Sequence, residues 1–290
     1  MGAYLSEGNA TKNYVNISNI DERFLSNARN FAGTIGMNYR ERDSLGSFGP
    51  SHSFMINSSI LSNLFLTTCG TGSYNKRVPE FAYSAKEEFV SGLLRGYFDG
   101  DGSVSVNRKM IRVHSNSEAL IDGIKLLLTR FGIFAFKCKD KKQHYLLIPY
   151  KYAPVFLEKI GSDIEAKRER LQKLAKLAEN FWEKRSQDFN DMIGGFGDIF
   201  YQIAKKLNYP TRYINNFTKL QRIGRTALYR YIKLFEKLAE KKNVNIEEDL
   251  EILRRMFNSD VVWDEIEKIE YVKPSSKYVY DISVEGLETF

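Results

Sequence analysis

One sequence pattern occurs twice in the chain, at Met1–Gly8 (MGAYLSEG) and, more fully, at Phe89–Gly102 (FVSGLLRGYFDGDG). In each copy a glycine is followed by mostly apolar residues, and six positions later a second glycine directly follows a carboxylate. These residues are Gly2, Glu7 and Gly8 in the first copy and Gly96, Asp101 and Gly102 in the second. The repeat predicts a chain built from two related halves.

An apolar run that ends in an acid and a glycine is typical of a helix closed by a left-handed glycine. This interpretation places Glu7 and Asp101 at helix C-termini, where the helix dipole disfavours a carboxylate by roughly 0.3–1 kcal/mol. Two such ends side by side would repel each other, so the pattern indicates a bridging divalent cation, and oxygen ligands favour Mg²⁺ or a similar ion. Gly2 and Gly96 would let the two helices approach closely. The alternative for an isolated Asp-Gly pair is a hairpin turn.

The segment Leu93–Gly102 (LLRGYFDGDG) resembles the LAGLIDADG motif of homing endonucleases, and GAYLSEG is similar to the shortened first motif of the two-motif members. The resemblance implies that the two motif helices pack together at the centre of a pseudo-twofold α+β fold. It also implies that the last acid of each motif, Glu7 or Asp101, holds the catalytic metals, Mg²⁺ or Mn²⁺. We assign Gly8 and Gly102 to the same metal site.

Members of this family also use a basic residue near the metals, which the intein-encoded members carry in a Lys-x-apolar-Pro segment before the second motif. Lys76-Arg77-Val78-Pro79 resembles that segment. In both halves a glycine after the last predicted helix is followed six residues later by a Lys-Arg pair, which makes Lys167 the counterpart of Lys76. Lys76 and Lys167 are therefore candidate catalytic residues. The alternative for Lys167 is a solvated position in the first turn of the next helix.

Both halves show the same order of predicted elements, which is a motif helix, a strand or strands, a helix, two strands and a helix. This order predicts a duplicated αββαββα fold. We expect the first half at residues 1–83, the second at 84–170, a helical module at 171–258 and a short β segment at 259–290. A long amphipathic helix is predicted at Glu165–Arg185, with an apolar stripe of Leu171, Leu174, Leu177 and Phe181.

In the family, the two sheets form a saddle over the DNA major groove. Alternate residues of a strand lie on the same face, and Arg and Asn suit the edges of guanine and adenine. The candidates for the DNA-facing side are Asn38, Arg40 and Arg42 in the first half and Arg108, Arg112 and Lys137 in the second. For any one of them the alternative is an ordinary solvated edge.

Positive charge is concentrated at Gln202–Lys242, which holds eleven Lys or Arg against Glu236 and Glu240. Within it, RIGRTALYRYIKLFEKLAEK resembles the second half of a helix-turn-helix, with Gly224 in the turn and Thr226 as the helix cap. Five residues would face inward: Leu228, Tyr231, Ile232, Phe235 and Leu238. Four would face DNA: Arg225, Tyr229, Arg230 and Lys233. The alternative is an ordinary solvated basic helix.

Trp263–Phe290 looks like the strands near the C-terminus of an intein, where a VYDxSVxGxxxF segment precedes the splice junction. Splicing in that family needs an N-terminal nucleophile and a terminal His-Asn pair, which this sequence does not show. We therefore expect an intein-derived endonuclease region that cannot splice as given.

The composition agrees with a nucleic-acid partner and excludes several other classes. The formal net charge of +7 favours a polyanion. Cys69 and Cys138 have neither zinc-site spacing nor a disulfide framework, and no run approaches the ~20 apolar residues of a membrane helix. We expect a cytoplasmic monomer.

The sequence thus predicts a site-specific double-strand DNA endonuclease of the intein homing type, acting on a long asymmetric DNA target. Its metal would be held by Glu7 and Asp101. The alternative is a non-catalytic DNA-binding transcription regulator that combines the same scaffold with a helix-turn-helix.

Overall fold

The computed structural model describes residues 1–46, 49–141, 143–179, 181, 191–259, 261, 268–274 and 276–278. The chain divides into two compact units, residues 1–186 and residues 187–290. Each has a hydrophobic core of its own.

Among its described residues, the first half of unit 1 contains three α-helices and four strands. In chain order these are α1 (Gly2–Glu7), β1 (Gly8–Ala10), β2 (Tyr14–Ser18), α2 (Glu22–Thr34), β3 (Tyr39–Gly46), β4 (Gly49–Asn57) and α3 (Ser59–Cys69). The strands form an antiparallel sheet in the order β1-β2-β4-β3.

The second half repeats this architecture. Its elements are α4 (Glu87–Asp101), β5 (Gly102–Ser105), β6 (Met110–Ser115), α5 (Glu118–Thr129), β7 (Phe136–Asp140), β8 (Gln143–Pro149) and α6 (Ala153–Lys159). Its antiparallel sheet has the order β5-β6-β8-β7, which corresponds strand for strand to the first sheet. The predicted duplicated αββαββα fold is confirmed.

Local sequence signals explain where the helices begin. The side chain of Asp21 accepts a hydrogen bond from the backbone N–H of Phe24 at the start of α2. Ser58 and Ser117 cap α3 and α5 in the same way. Such caps satisfy N–H groups that have no partner within the helix.

Alternation in the central strands places one face of each sheet in the core. Val15 and Ile17 of β2 and Ile111 and Val113 of β6 are buried among helix side chains. Because side chains alternate along a strand, the residues between them lie on the opposite, polar face.

Helices α1 and α4 cross at very short range, as the glycines of the repeated pattern predicted. A Cβ atom at Gly2 would lie 2.1 Å from the carbonyl oxygen of Leu93, and one at Gly96 would lie 3.0 Å from the backbone nitrogen of Ala3. Gly100, which the pattern did not single out, meets Ser6 in the same way, with a Cβ placed 2.3 Å from Oγ.

The glycines that follow the two motif acids do not adopt the predicted left-handed conformation. Gly8 has φ −93° and Gly102 has φ −92°, so each helix continues directly into an extended strand. Space explains why glycine stands there instead. A Cβ at Gly8 would lie 2.5 Å from the Tyr4 side chain, and one at Gly102 would lie 2.1 Å from the Phe98 side chain.

Helix α7 (Glu165–Ala178) is the last described helix of unit 1, and it corrects two predictions. Leu171 and Leu174 belong to the core of unit 1, so the division between the units comes later than the predicted boundary at residue 170. Leu177, predicted in the apolar stripe, is 38% exposed. The rest of the predicted helix lies largely outside the described residues.

Unit 2 contains a two-stranded ribbon and four helices among its described residues. These are β9 (Met192–Gly194), α8 (Gly197–Lys206), α9 (Asn215–Leu220), β10 (Arg222–Gly224), α10 (Arg225–Lys242) and α11 (Glu247–Phe257). Leu228, Ile232 and Phe235 of α10 face the core as predicted. Thr226 is not the helix cap, because α10 begins at Arg225 with Gly224 at the N-cap.

Arg225, predicted to contact DNA, lies in the interior of unit 2 and is only 8% exposed. Its guanidinium donates to Asp191 Oδ1 at 2.9 Å and to backbone carbonyls at the end of α11 and in the segment after it. Those carbonyls belong to Met256, Phe257, Ser259 and Val261. The prediction is therefore wrong, because the guanidinium is engaged within the protein.

The predicted β segment at 259–290 lies mostly outside the described residues. Residues 268–274 and 276–278 are described and contain no strand. Among the described residues, no helix has the length and apolar character that crossing a membrane requires.

The helix crossing gives a first prediction. Replacing Gly100 with alanine should destabilise unit 1 by about 1–3 kcal/mol, because the added methyl group would overlap Ser6 across the crossing. Gly92→Ala on the same helix is the matched control, since a Cβ there meets nothing within 4 Å. It should be stabilising by about 0.5–1 kcal/mol through helix propensity. Urea unfolding measures both variants, and equal effects would contradict the observed crossing.

Candidate functional site

Both motif helices end at one cleft of about 450 Å³ that is lined by residues of both sheets. Glu7, at the end of α1, and Asp101, at the end of α4, lie in its wall together with Lys76. Most other lining residues are polar: Ser6, Asn9, Asn16, Ser18, Ser73, His114, Ser115, Asn116 and Gln143. The cleft therefore combines paired acids with an uncharged polar surround.

The two carboxylates are destabilised as anions. Burial, followed by the charge of Glu7, raises the pKa of Asp101 to about 6, against the opposing effect of Lys76 and Lys167. Burial also raises the pKa of Glu7, again opposed by the two lysines. A carboxylate pair with this electrostatic cost is a candidate functional site, since perturbed pKa values concentrate at such sites.

Lys76 is brought to the cleft by the segment that follows α3. Its backbone carbonyl accepts a hydrogen bond from Ser117 Oγ at 2.6 Å, and the neighbouring Val78 is buried in the core. The ammonium donates to the Ser6 carbonyl at 3.0 Å and lies over the Tyr4 ring. The side chain is 6% exposed, and burial lowers the pKa of Lys76.

Lys167 occupies the corresponding position at the end of α4. Its ammonium donates to the carbonyls of Phe98 at 2.9 Å, Asp99 at 2.7 Å and Gly100 at 3.4 Å. It also lies over the Phe98 ring, as Lys76 lies over Tyr4. Burial lowers the pKa of Lys167. The predicted correspondence of the two lysines is thus present in the geometry, and their catalytic role stays a prediction.

The donor set at Glu7 and Asp101 fits a hard divalent cation but leaves its coordination incomplete. Carboxylate oxygens are the ligands that Mg²⁺ prefers, and it usually keeps several waters and takes others from bound phosphates. Among the described residues no group of three or more His, Cys, Asp or Glu is arranged to hold a metal ion. Gly8 lines the cleft and Gly102 is not among its lining residues. Their role as ligands stays a prediction.

The first sheet presents Arg40 and Arg42 on its polar face. Arg40 is paired with Met55 and Arg42 with Ser53, whereas Glu41 between them is paired with the buried Phe54. Both arginines are exposed, and so is Asn38 just before β3. These three predicted DNA contacts are therefore accessible to a ligand.

The second sheet presents Arg112 on the corresponding face, with its guanidinium 5.4 Å from the centre of the Tyr145 ring. Arg108 is exposed in the turn between β5 and β6. Lys137, in contrast, is paired with the buried Leu146 and lies on the helix side, where it forms ion pairs with Glu118 and Asp122 of α5. Its predicted DNA contact is wrong, because the pairing of β7 with β8 places position 137 in line with the buried Leu146, on the helix side of the sheet.

Three of the four residues of α10 that were predicted to contact DNA lie at least partly at the surface of unit 2. Lys233 is exposed, and its ammonium lies 6.0 Å from the centre of the Tyr229 ring. Arg230 and Tyr229 are partly exposed. Their contact with DNA stays a prediction.

Sequence reasoning missed His114 and Asn16 in the cleft. Each lies on the polar face of a strand whose other residues are apolar, so strict alternation in MIRVHS and YVNIS would have found them. The His114 ring stacks on Tyr145, and burial together with Arg112 lowers the pKa of His114. This shift favours the neutral form of the imidazole that lines the cleft.

Residues 88–161 match the family described as the LAGLIDADG-like domain. This segment corresponds to the second half of unit 1, from the motif helix α4 to the end of α6. The chain also resembles a structure of I-DmoI, a homing endonuclease, in complex with DNA and Mn. That similarity covers 55% of this chain and 95% of I-DmoI, with 13% identity and a TM-score of 0.42.

Two relatives from Methanocaldococcus jannaschii are much longer than this chain. The DNA-directed RNA polymerase subunit Rpo1C is 47% identical over 292 residues, which cover 100% of this chain and 34% of the relative. A glutamine–fructose-6-phosphate aminotransferase is 30% identical over 230 residues, which cover 74% of this chain and 19% of the relative. The chain therefore spans about a third of the first relative and a fifth of the second.

The polymerase relative contradicts the predicted function. The whole chain is 47% identical to part of an RNA polymerase subunit. Its motifs therefore do not identify it as a site-specific homing endonuclease. The physical reason is that the motif helices and paired acids specify a scaffold and a charged cleft, and one scaffold serves several functions.

The acid pair gives a second prediction, for the protein in EDTA. Asp101→Asn should raise the free energy of unfolding at pH 7.5 by about 1–3 kcal/mol, because it removes a buried charge whose pKa is about 6 when folded. As the pH falls through 6 towards 4, the wild-type carboxylate takes up its proton and the difference should shrink. Asp140→Asn, at an exposed acid of β7, is the control and should change little. A gain that is independent of pH would contradict the electrostatic account.

Proposed function

We propose that the chain is a DNA-binding segment of a longer protein. It holds double-stranded DNA on the two polar sheet faces of unit 1, with a divalent cation, Mg²⁺ or Mn²⁺, between Glu7 and Asp101. The observation that carries the proposal is the convergence of both motif helices on one cleft that contains two destabilised carboxylates and a buried lysine.

The charge distribution supports a polyanionic ligand. Arg40 and Arg42 on the first sheet and Arg112 on the second lie on faces that flank the acid pair. A bound cation would neutralise the acids, so the approach of phosphates to the cleft would no longer be opposed. Metal and DNA are therefore expected to bind cooperatively.

Unit 2 is proposed to extend the DNA contact. Residues 199–235 contain eight Lys or Arg and no Asp or Glu. Within this stretch Tyr229, Arg230 and Lys233 are exposed or partly exposed on α10, whereas Arg225 is excluded by its burial. Phosphate contacts from such a surface would add affinity without sequence specificity.

The target is proposed to be long and asymmetric, and the active form to be a monomer. One chain supplies both halves of the pseudo-symmetric site, so no second copy is needed to complete it. The two polar faces carry different side chains at corresponding positions, with Asn16 in the first half where Arg112 stands in the second. Because different side chains would contact the two half-sites, we expect a DNA target that is not palindromic.

We also propose that this segment is an insertion of the intein-encoded type within its host protein. The support is that it matches parts of two relatives with unrelated names, an RNA polymerase subunit and an aminotransferase. A segment shared by such different proteins carries an activity separate from theirs.

Hydrolysis of a DNA phosphodiester bond is a second candidate activity of the cleft. It is favoured by the presence of both acids and Lys76 in one wall. A bound Mg²⁺ would supply an activated water and neutralise charge on the phosphate. Glu7 and Asp101 would bind the ion and Lys76 would contact a phosphate oxygen, and His114 lines the same cleft.

The proposed DNA face gives a third prediction. Removing the charges of Arg40 and Arg42 by substitution with methionine should reduce the slope of log affinity against log salt by about 2, since each phosphate contact contributes about 0.9. Lys137→Met is the matched control because its side chain lies on the helix side of the sheet. It should leave the slope unchanged. Fluorescence anisotropy with a mixed-sequence duplex measures the effect, and equal losses in both variants would contradict the assigned face.

The metal gives a fourth prediction. Mg²⁺ should tighten duplex binding of the wild-type chain at constant ionic strength, and EDTA or Glu7→Gln should abolish that gain, because the ion needs both carboxylates. Glu80→Gln, which removes a carboxylate outside the cleft, should retain the full response. The same reactions, resolved on a denaturing gel, report any strand scission. Binding that ignores Mg²⁺ in the wild type would rule out the cation site.

A further inference from the structure

We infer that the two buried lysines are functionally unequal: Lys76 binds one phosphate group of a ligand in the cleft, and Lys167 contacts only the protein. The inference rests on the proposed DNA binding for the identity of its ligand. It goes beyond that proposal because it predicts that, of two lysines at corresponding positions in the two halves, only one binds a phosphate.

The first argument is the use of hydrogen-bond donors. A lysine ammonium has three N–H donors and no acceptor. Lys167 has three carbonyl acceptors within 3.4 Å, from Phe98, Asp99 and Gly100, so all of its donors are used. Lys76 donates to the Ser6 carbonyl alone among the described residues. Two donors of Lys76 therefore remain for a ligand.

The second argument is access. Lys76 lines the cleft that contains Glu7 and Asp101, and Lys167 is absent from the cleft wall. Among the described residues, the Lys76 ammonium forms no ion pair with a carboxylate within 4.0 Å. An anion that enters the cleft thus meets a cation with unused donors on one side only.

The local folds explain why the corresponding lysines differ. Lys167 lies in the first turn of α7 and reaches the carbonyls of the last turn of α4, where Asp99 and Gly100 have no N–H partner within the helix. Lys76 approaches the end of the six-residue helix α1 from an irregular segment and meets only one carbonyl there. Lys167 is therefore a helix cap, and Lys76 is a partly satisfied cation facing the cleft.

The first test uses the wild-type chain and inorganic pyrophosphate, with the lysine Nζ groups observed by ¹⁵N nuclear magnetic resonance. Lys76→Arg and Lys167→Arg assign the two signals. Pyrophosphate should move the Lys76 signal and leave the Lys167 signal in place. Movement of the Lys167 signal, or no movement of either, would overturn the inference.

The second test measures duplex affinity against salt for Lys76→Met and Lys167→Met, with DNA selected by the wild-type chain from a randomised pool. Lys76→Met should weaken binding about tenfold at fixed salt and reduce the salt slope by about 0.9. Lys167→Met should lower the melting temperature and keep the slope. Lys86→Met, at the opposite end of α4, controls for net charge.

The two tests separate the inference from the function on which it rests. Equal reductions of the salt slope in Lys76→Met and Lys167→Met would overturn the inference even though DNA binding holds. If the wild-type chain selects no duplex, the proposed DNA binding fails and the pyrophosphate result alone decides the role of Lys76. If Lys167→Met does not fold, the pyrophosphate test still decides, because it uses the wild-type chain.

Discussion

The close crossing of α1 and α4 is the contact on which the rest of unit 1 depends. Gly2 and Gly96 remove the side chains that would hold the helices apart, so both helices end at the same cleft. Their last acids are thereby partly buried near each other, and the pKa of each is raised. A fold that maintains such a repulsive pair is stabilised when a cation binds there, which connects the packing of the core to the proposed function.

In unit 1 the backbone of the two halves is symmetric and the side chains are not, and the two features have different roles. The two sheets have matching strand orders and the two motif helices have matching ends, so the scaffold is duplicated. The side chains that the scaffold presents are not duplicated. Asn16 in the first half corresponds to Arg112 in the second. The Lys76 ammonium has two N–H donors without a partner among the described residues, whereas all three donors of Lys167 are used. The scaffold positions the cleft, and the side-chain differences between the halves determine which DNA sequences the proposed binding surface distinguishes.

Much of the fold could be predicted because its signals are local. The bounds of α4 follow from an apolar run between lysine and glycine, and the starts of α2 and α5 follow from Asp21 and Ser117. The close approach of α1 and α4 at Gly2 and Gly96 was predictable from the repeated sequence pattern. The orientation of Lys137 was not, because the face of a strand residue depends on its register with the neighbouring strand, and Lys137 is paired with the buried Leu146. Arg225 is a basic residue on an amphipathic helix in sequence, and only tertiary structure brings carbonyls around it. The function of the whole protein is still less local, since the motifs specify only a site and this chain spans 34% of the polymerase relative.

The most direct test of the account is the location of Mn²⁺ by anomalous X-ray scattering in crystals of the chain with bound duplex DNA. The account predicts an anomalous peak in contact with carboxylate oxygens of both Glu7 and Asp101, with DNA phosphate completing the coordination. DNA lying across the two sheets with no anomalous peak at these carboxylates would contradict it, and so would Mn²⁺ bound only elsewhere on the chain.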